Sequence, residues 1–176
     1  MVIGILDSGV KHLTLAKLTV LWGREVPLID GFMLRELLIA FAIVAICVVI
    51  HVIGIAAFAQ YLLGRFPQLE GLTTMSRQAL LLIAVFAVLI TMHLVETAIW
   101  ATFYYWRGLF QTYETALYFS LGTYSTIGYG DVVLPDGWRL LGGIEGISGV
   151  LLCSLSGAFV FAVVYALFQT RMQKRQ

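Results

Sequence analysis

Charge is scarce in this chain. Only 12% of its 176 residues are Asp, Glu, Lys or Arg, and the formal net charge is +1. So few charges cannot build the basic face that contact with a nucleic-acid backbone requires, so no nucleic-acid partner is expected. Cysteine is nearly missing as well. Cys47 and Cys153 both lie inside apolar segments. Neither a disulfide framework nor a zinc cluster of paired cysteines fits that placement. No long internal repeat is present. Ser, His and Asp occur, but none sits in a recognisable nucleophile motif, so no enzyme is expected. No organic cofactor or small-molecule substrate is readable. Neither a calcium-binding nor a nucleotide-binding motif appears, and the length suits one domain without a separate soluble ligand-binding module.

Apolar residues are abundant instead. The chain is 60% hydrophobic with a mean hydropathy of +0.93, far above a soluble domain. A bilayer core needs roughly 20 consecutive apolar residues per helix, and three segments supply them. The first is 33–64, where His51 is the one clearly polar residue between Leu37 and Ala59. Gly64, Arg65 and Pro67 end it. The second is 78–106, interrupted by His93 and Glu96. Trp100, Phe103, Tyr104, Tyr105 and Trp106 at its far end suit a membrane–water interface. The third is 137–169, opened by Trp138 and Arg139. Its Gly142, Gly143, Gly146, Gly149 and Gly157 allow other backbone to approach closely. A short basic tail, 170–176, follows. Residues 1–32 form an extension, readable as a helix lying in the membrane interface or as irregular chain, with Met33 as a second candidate start. It lacks the apolar run and cleavage site of a signal peptide. The expected fold is all-α, embedded in a lipid bilayer.

Residues 112–131, inside the unit 78–169, break the pattern. Thr112 is a good N-cap, and Glu114 puts the favoured sign in the first turn. A helix from Tyr113 to about Thr123 is too short to cross a bilayer. If it points toward the membrane centre, its C-terminal end turns partial negative charge into a central cavity. There follows Thr126-Ile127-Gly128-Tyr129-Gly130-Asp131. Glycine at alternate positions gives the backbone dihedrals closed to residues with a Cβ, so successive carbonyls can face one side. Carbonyls left unpaired inside a membrane must line a cavity or bind something. A row of them with the Thr126 hydroxyl can replace the water around a monovalent cation.

This segment resembles the pore loop of potassium channels, of the prokaryotic helix–pore loop–helix type, and the resemblance extends over Gln78–Gln169. It implies K+ as the permeant ion, bound by Thr126, Ile127, Gly128 and Tyr129, with Gly130 allowing the outer turn. Ile127 stands where that family often has Val. One unit per chain implies a homotetramer, with 137–169 as inner helix, 78–106 as outer helix and 33–64 added outside. Asp131 is expected behind the mouth of the filter. Many relatives pair it with a Trp and a Glu of the pore helix; here those places hold Tyr118, which could still donate to Asp131, and Gly122, so the carboxylate partner is absent. Gly149 falls where the family often has a hinge glycine. The first span has no regular Arg spacing and is not a voltage sensor.

Three crossings and one re-entrant loop put the termini on opposite sides. Arg65, Arg77, Arg171, Lys174 and Arg175 share the tail's side, against Arg35, Arg107 and Arg139 from Met33 onward. That bias favours a cytoplasmic tail. Counting Lys11, Lys17 and Arg24 of the extension removes it, and the resemblance then decides, because that family's filter opens outward. The expected location is the cell membrane. The competing function is a non-conducting or accessory subunit that keeps the channel fold; an intact filter disfavours it.

Ionisable residues inside membrane helices are costly and commonly functional. Glu96 is one turn beyond His93, so the two share a face. They are either a proton-sensitive pair packed on the first helix or a hydrogen-bonded structural pair. Glu145 either bonds the pore helix from behind, replacing the missing carboxylate, or sits solvated near the outer vestibule. Cys153 either faces the cavity or is buried. Any gate is expected in the membrane helices or the filter itself, with Glu96 or Glu145 as a proton-driven trigger and Gly149 as the bend.

Overall fold

Four helices account for nearly all of the architecture in the computed structural model, which describes residues 31–64 and 75–173. They are α1 Gly31–Gly64, α2 Met75–Trp106, α3 Tyr113–Tyr124 and α4 Arg139–Gln173. No strand occurs among the described residues. Three of the helices, α1, α2 and α4, are long and apolar enough to cross a membrane. The 12 residues of α3 reach about 18 Å at 1.5 Å per residue, short of the ~30 Å hydrocarbon core. Among the described residues the fold is all-α, with three helices of membrane-crossing length. The expectations for the N-terminal extension, the Arg65–Arg77 connection and the last basic residues lie wholly or largely outside the described residues.

Helix α2 begins at Met75, three residues before the expected Gln78. Helix α4 begins at Arg139, after a turn in which Gly137 takes φ +82°. It continues past residue 169 to Gln173, so the start of the expected tail is helical.

Helix α1 runs parallel to α4 and antiparallel to α2. Glu36 at its start accepts the backbone N–H of Leu140 in the first turn of α4. Helix α4 has no acidic residue of its own in that turn, so α1 supplies the anion that a helix N-terminus favours. Ala40, Ile43 and Cys47 then join the core, and Phe58 meets Phe159 with centroids 6.0 Å apart. Helix α1 packs on α4 and α2 and makes no backbone-level contact with α3.

The core between α2, α3 and α4 is aromatic. The Tyr104 ring lies 5.5 Å from Phe119 and 6.2 Å from Phe110, both edge-on, a favoured geometry for such pairs. The expected interfacial belt is therefore only half a belt. Tyr105 and Trp106 are exposed, whereas Trp100 and Tyr104 are fully buried. On a helix, neighbours in sequence point to different faces, and α3 covers the face carrying Trp100 and Tyr104. Trp138 is a platform at the same end: the guanidinium carbons of Arg35 and Arg107 lie 5.3 and 5.1 Å from its ring centroid.

The glycines of α4 divide in two. A Cβ at Gly146 would come within 3.3 Å of the Thr123 carbonyl oxygen, and one at Gly149 would overlap the Tyr124 carbonyl. Helix α4 thus approaches the C-terminal end of α3 backbone to backbone, as small residues permit. Gly143 and Gly157, expected to do the same, have open space beside them within one chain.

Candidate functional site

The loop after α3 folds back along the helix it has just left. Thr126 N–H donates to the Thr123 carbonyl at 2.9 Å and Gly128 N–H to the Gly122 carbonyl at 3.0 Å. Tyr129 stacks on Tyr118 with centroids 6.3 Å apart and rings 9° from parallel. Tyr118 hydroxyl donates to Asp131 Oδ2 at 2.8 Å. Partners on α3 fall from 123 to 118 as the loop climbs from 126 to 131, so the return is antiparallel. The start of α3 is fixed by Thr112, whose Oγ1 accepts the Thr115 N–H at 3.1 Å.

The loop backbone alternates. Thr126, Gly128 and Gly130 take φ of 61°, 53° and 79°, and no other non-glycine among the described residues has positive φ. Positive φ is routine for glycine but an outlier for a β-branched residue. At Thr126 it costs roughly 1–2 kcal/mol. Such strain persists where the surroundings hold it, and it gathers at functional sites. The glycines at 128 and 130 signalled this conformation in the sequence; nothing signalled it at Thr126. Residues Thr126–Asp131 are exposed in the single chain, including Tyr129 at 69%.

Behind the loop stand two buried carboxylates. Glu145 of α4 is fully buried. Its Oε2 accepts the Tyr104 hydroxyl of α2 at 2.7 Å, and its Oε1 accepts the Ser120 hydroxyl of α3. One side chain thus joins three helices, and of the two open placements for Glu145 the geometry is that of a carboxylate bonding α3 from behind. Gly122, where the related pattern has a carboxylate, has nothing within 4 Å of a built Cβ. Asp131 keeps Tyr118 as its partner and also accepts the Val132 N–H at Oδ1, at 3.0 Å. The bond to that carboxylate holds the Tyr118 phenol above its ordinary pKa.

The second carboxylate is Glu96, also fully buried. Its Oε1 lies 2.7 Å from His51 Nδ1 of α1. Its Oε2 lies 3.3 Å from His93 Nδ1 and accepts the Tyr124 hydroxyl at the end of α3. Ser156 of α4 stands at the far side of both imidazoles. The sequence put His93 and Glu96 on one face, but His51 is 45 residues from Glu96 and no spacing rule reaches that far. Cys153 is exposed within the single chain, and Cys47 is buried.

Comparison with known proteins adds one finding. The search of curated proteins and the search of solved structures each found no match. A family model described as ion channel matches residues 80–167, from early in α2 through most of α4. Half of the 176 residues lie within that match, and the chain belongs to this family of ion channels.

Proposed function

We propose that the protein is a potassium-selective channel that passes K+ passively across the cell membrane, four copies forming one pore with Thr126–Tyr129 on its axis. The alternating positive φ at Thr126, Gly128 and Gly130 carries this reading. Alternation of this kind lets successive carbonyls turn to one side, and the strain at Thr126 is the kind that surrounding structure must sustain. The N–H groups of Thr126 and Gly128 are spent on α3. A single strand cannot surround an ion, so coordination on all sides requires further copies. The exposed apolar side chains Ile147, Val150 and Leu151 on α4 fit such a ring. With Thr126 and Gly128 they line a groove of about 470 Å³, suited to a neighbouring copy or the pore. The loop mouth faces outward and the C-terminal end lies in the cytoplasm, as the Lys and Arg bias from Met33 onward favours.

The test is reconstitution in liposomes with a potassium gradient and measurement of reversal potential. The wild type should prefer potassium to sodium, and Gly128→Ala or Gly130→Ala should lose that preference while the spans still insert. Equal passage of both ions by the wild type would overturn the selectivity. A purified, assembled protein without flux would favour an accessory subunit.

A further inference from the structure

We propose that His51, His93 and Glu96, with Tyr124 as fourth donor, bind a divalent transition-metal ion of the zinc class inside the membrane, where α1 joins the rest of the chain. One ligand atom from each of the first three lies within 4.8 Å of the others. Both imidazoles turn the same atom toward Glu96: Nδ1 of His51 at 2.7 Å from Oε1, and Nδ1 of His93 at 3.3 Å from Oε2. The Tyr124 hydroxyl is 3.0 Å from His93 Nδ1 and bonds Glu96 Oε2. Four donors therefore converge from α1, α2 and α3.

The far sides of the rings show how the site is built. Nε2 of His93 and Nε2 of His51 lie 3.0 and 3.2 Å from one atom, Ser156 Oγ. A hydroxyl has one hydrogen to give and two lone pairs to receive with. Without an ion, neutral rings satisfy these contacts only as opposite tautomers: His51 donates from Nδ1 to Glu96 and His93 from Nε2 to Ser156, which gives its own hydrogen to His51 Nε2. A cation on the two Nδ1 atoms would instead give both rings the same tautomer. Each neutral ring then holds its hydrogen on Nε2, and Ser156 accepts from both. A partner of this kind fixes the tautomer and orientation of metal-binding histidines.

The charge also closes. The Glu96 carboxylate offsets one unit of a divalent ion, and the Tyr124 phenol, giving its proton to solvent on ligation, offsets the other. Two imidazole nitrogens and two anionic oxygens suit four-coordinate zinc better than magnesium or calcium, which prefer more oxygen ligands. His51 and Glu96 are fully buried, and the His93 side chain, 19% exposed, offers the way in. This site is independent of the ion the channel conducts.

The experiment loads the purified full-length channel with Zn2+, dialyses it against zinc-free buffer and measures bound metal, with Cys153→Ser as background to remove the exposed thiol. The wild type should retain about one zinc per chain, as a closed four-ligand site does. His51→Gln with His93→Gln should retain none. Ser156→Ala, which leaves all four ligands, should weaken zinc binding about 10–100-fold. Cobalt loading of the Cys153→Ser protein with all four ligands intact decides the matter even if the histidine variants do not fold: a tetrahedral site gives intense visible absorption, and zinc should bleach it. A wild type that retains neither metal, or a folded double variant that retains zinc equally, would overturn the proposal and leave the cluster as a proton-sharing hydrogen-bond ring.

Discussion

The hydroxyl of Tyr104 on α2 donates to Glu145 Oε2 on α4 at 2.7 Å, with both side chains fully buried. Removing the acceptor strands the phenol, because Ser120, the other donor, has a second acceptor in the Thr97 carbonyl at 3.1 Å. Glu145→Leu should lower stability by about 1–3 kcal/mol, the cost of a buried donor left unpaired. Adding Tyr104→Phe should recover part of that loss. Thermal unfolding of the two variants in detergent checks this; a double variant less stable than Glu145→Leu would contradict it.

Gly149, the expected bend, packs against the end of α3. A Cβ there overlaps the Tyr124 carbonyl, which is backbone and cannot swing aside. Gly149→Ala should therefore displace the end of α3 two residues before Thr126, at roughly 1–3 kcal/mol for overpacking. The expected bend at Gly149 thus lies against the end of α3, so opening and selectivity should change together. Reversal potentials should show weakened potassium preference in this variant, and a normal preference would contradict this.

Thr126 pairs a costly dihedral with a hydroxyl, and two substitutions separate them. Thr126→Gly should leave stability within about 1 kcal/mol of the wild type, because relief of strain offsets the entropy of the added glycine. Thr126→Ser keeps the hydroxyl and should keep conduction, whereas Thr126→Gly should impair selectivity. Melting curves and flux measured on the same preparations test both halves.

Tyr118 holds Asp131 with a phenol whose pKa lies above its ordinary value. A raised phenol keeps its proton at every pH below about 10, the ordinary tyrosine value, and the bond is lost only as pH rises through the higher folded value. Between about pH 6 and 9 this contact should be constant. Tyr118→Phe should change how long current persists and leave the shape of any pH response in that window unaltered. Recordings in which Tyr118→Phe removes a titration there would refute this.

The site was legible where a local rule applied. Thr112 announced the start of α3, and the alternating glycines announced the loop. For Glu145 the sequence left two placements open, against α3 or solvated near the outer vestibule, because a lone acid in a membrane helix needs either a partner or water. Other features had no local signal. Helix α1 is apolar around its circumference, so its lipid and protein faces look alike and periodicity cannot choose between them. The meeting of His51 with Glu96 and the reach of Glu36 to Leu140 both follow from that choice of face.

Helix α1 is pinned twice. Glu36 fastens it to the first turn of α4, and His51 fastens it to Glu96. Fifteen residues separate the pins, about 22 Å along a helix. An apolar rod in lipid can slide along its axis and spin about it at little cost, because every face finds the same solvent. One polar contact stops the sliding but leaves the rod free to swing. Two contacts at different heights set depth and rotation together. The added helix therefore acts as a keyed strut: it seats in one register against α2 and α4, and a change that frees either pin should release its orientation before it releases the helix.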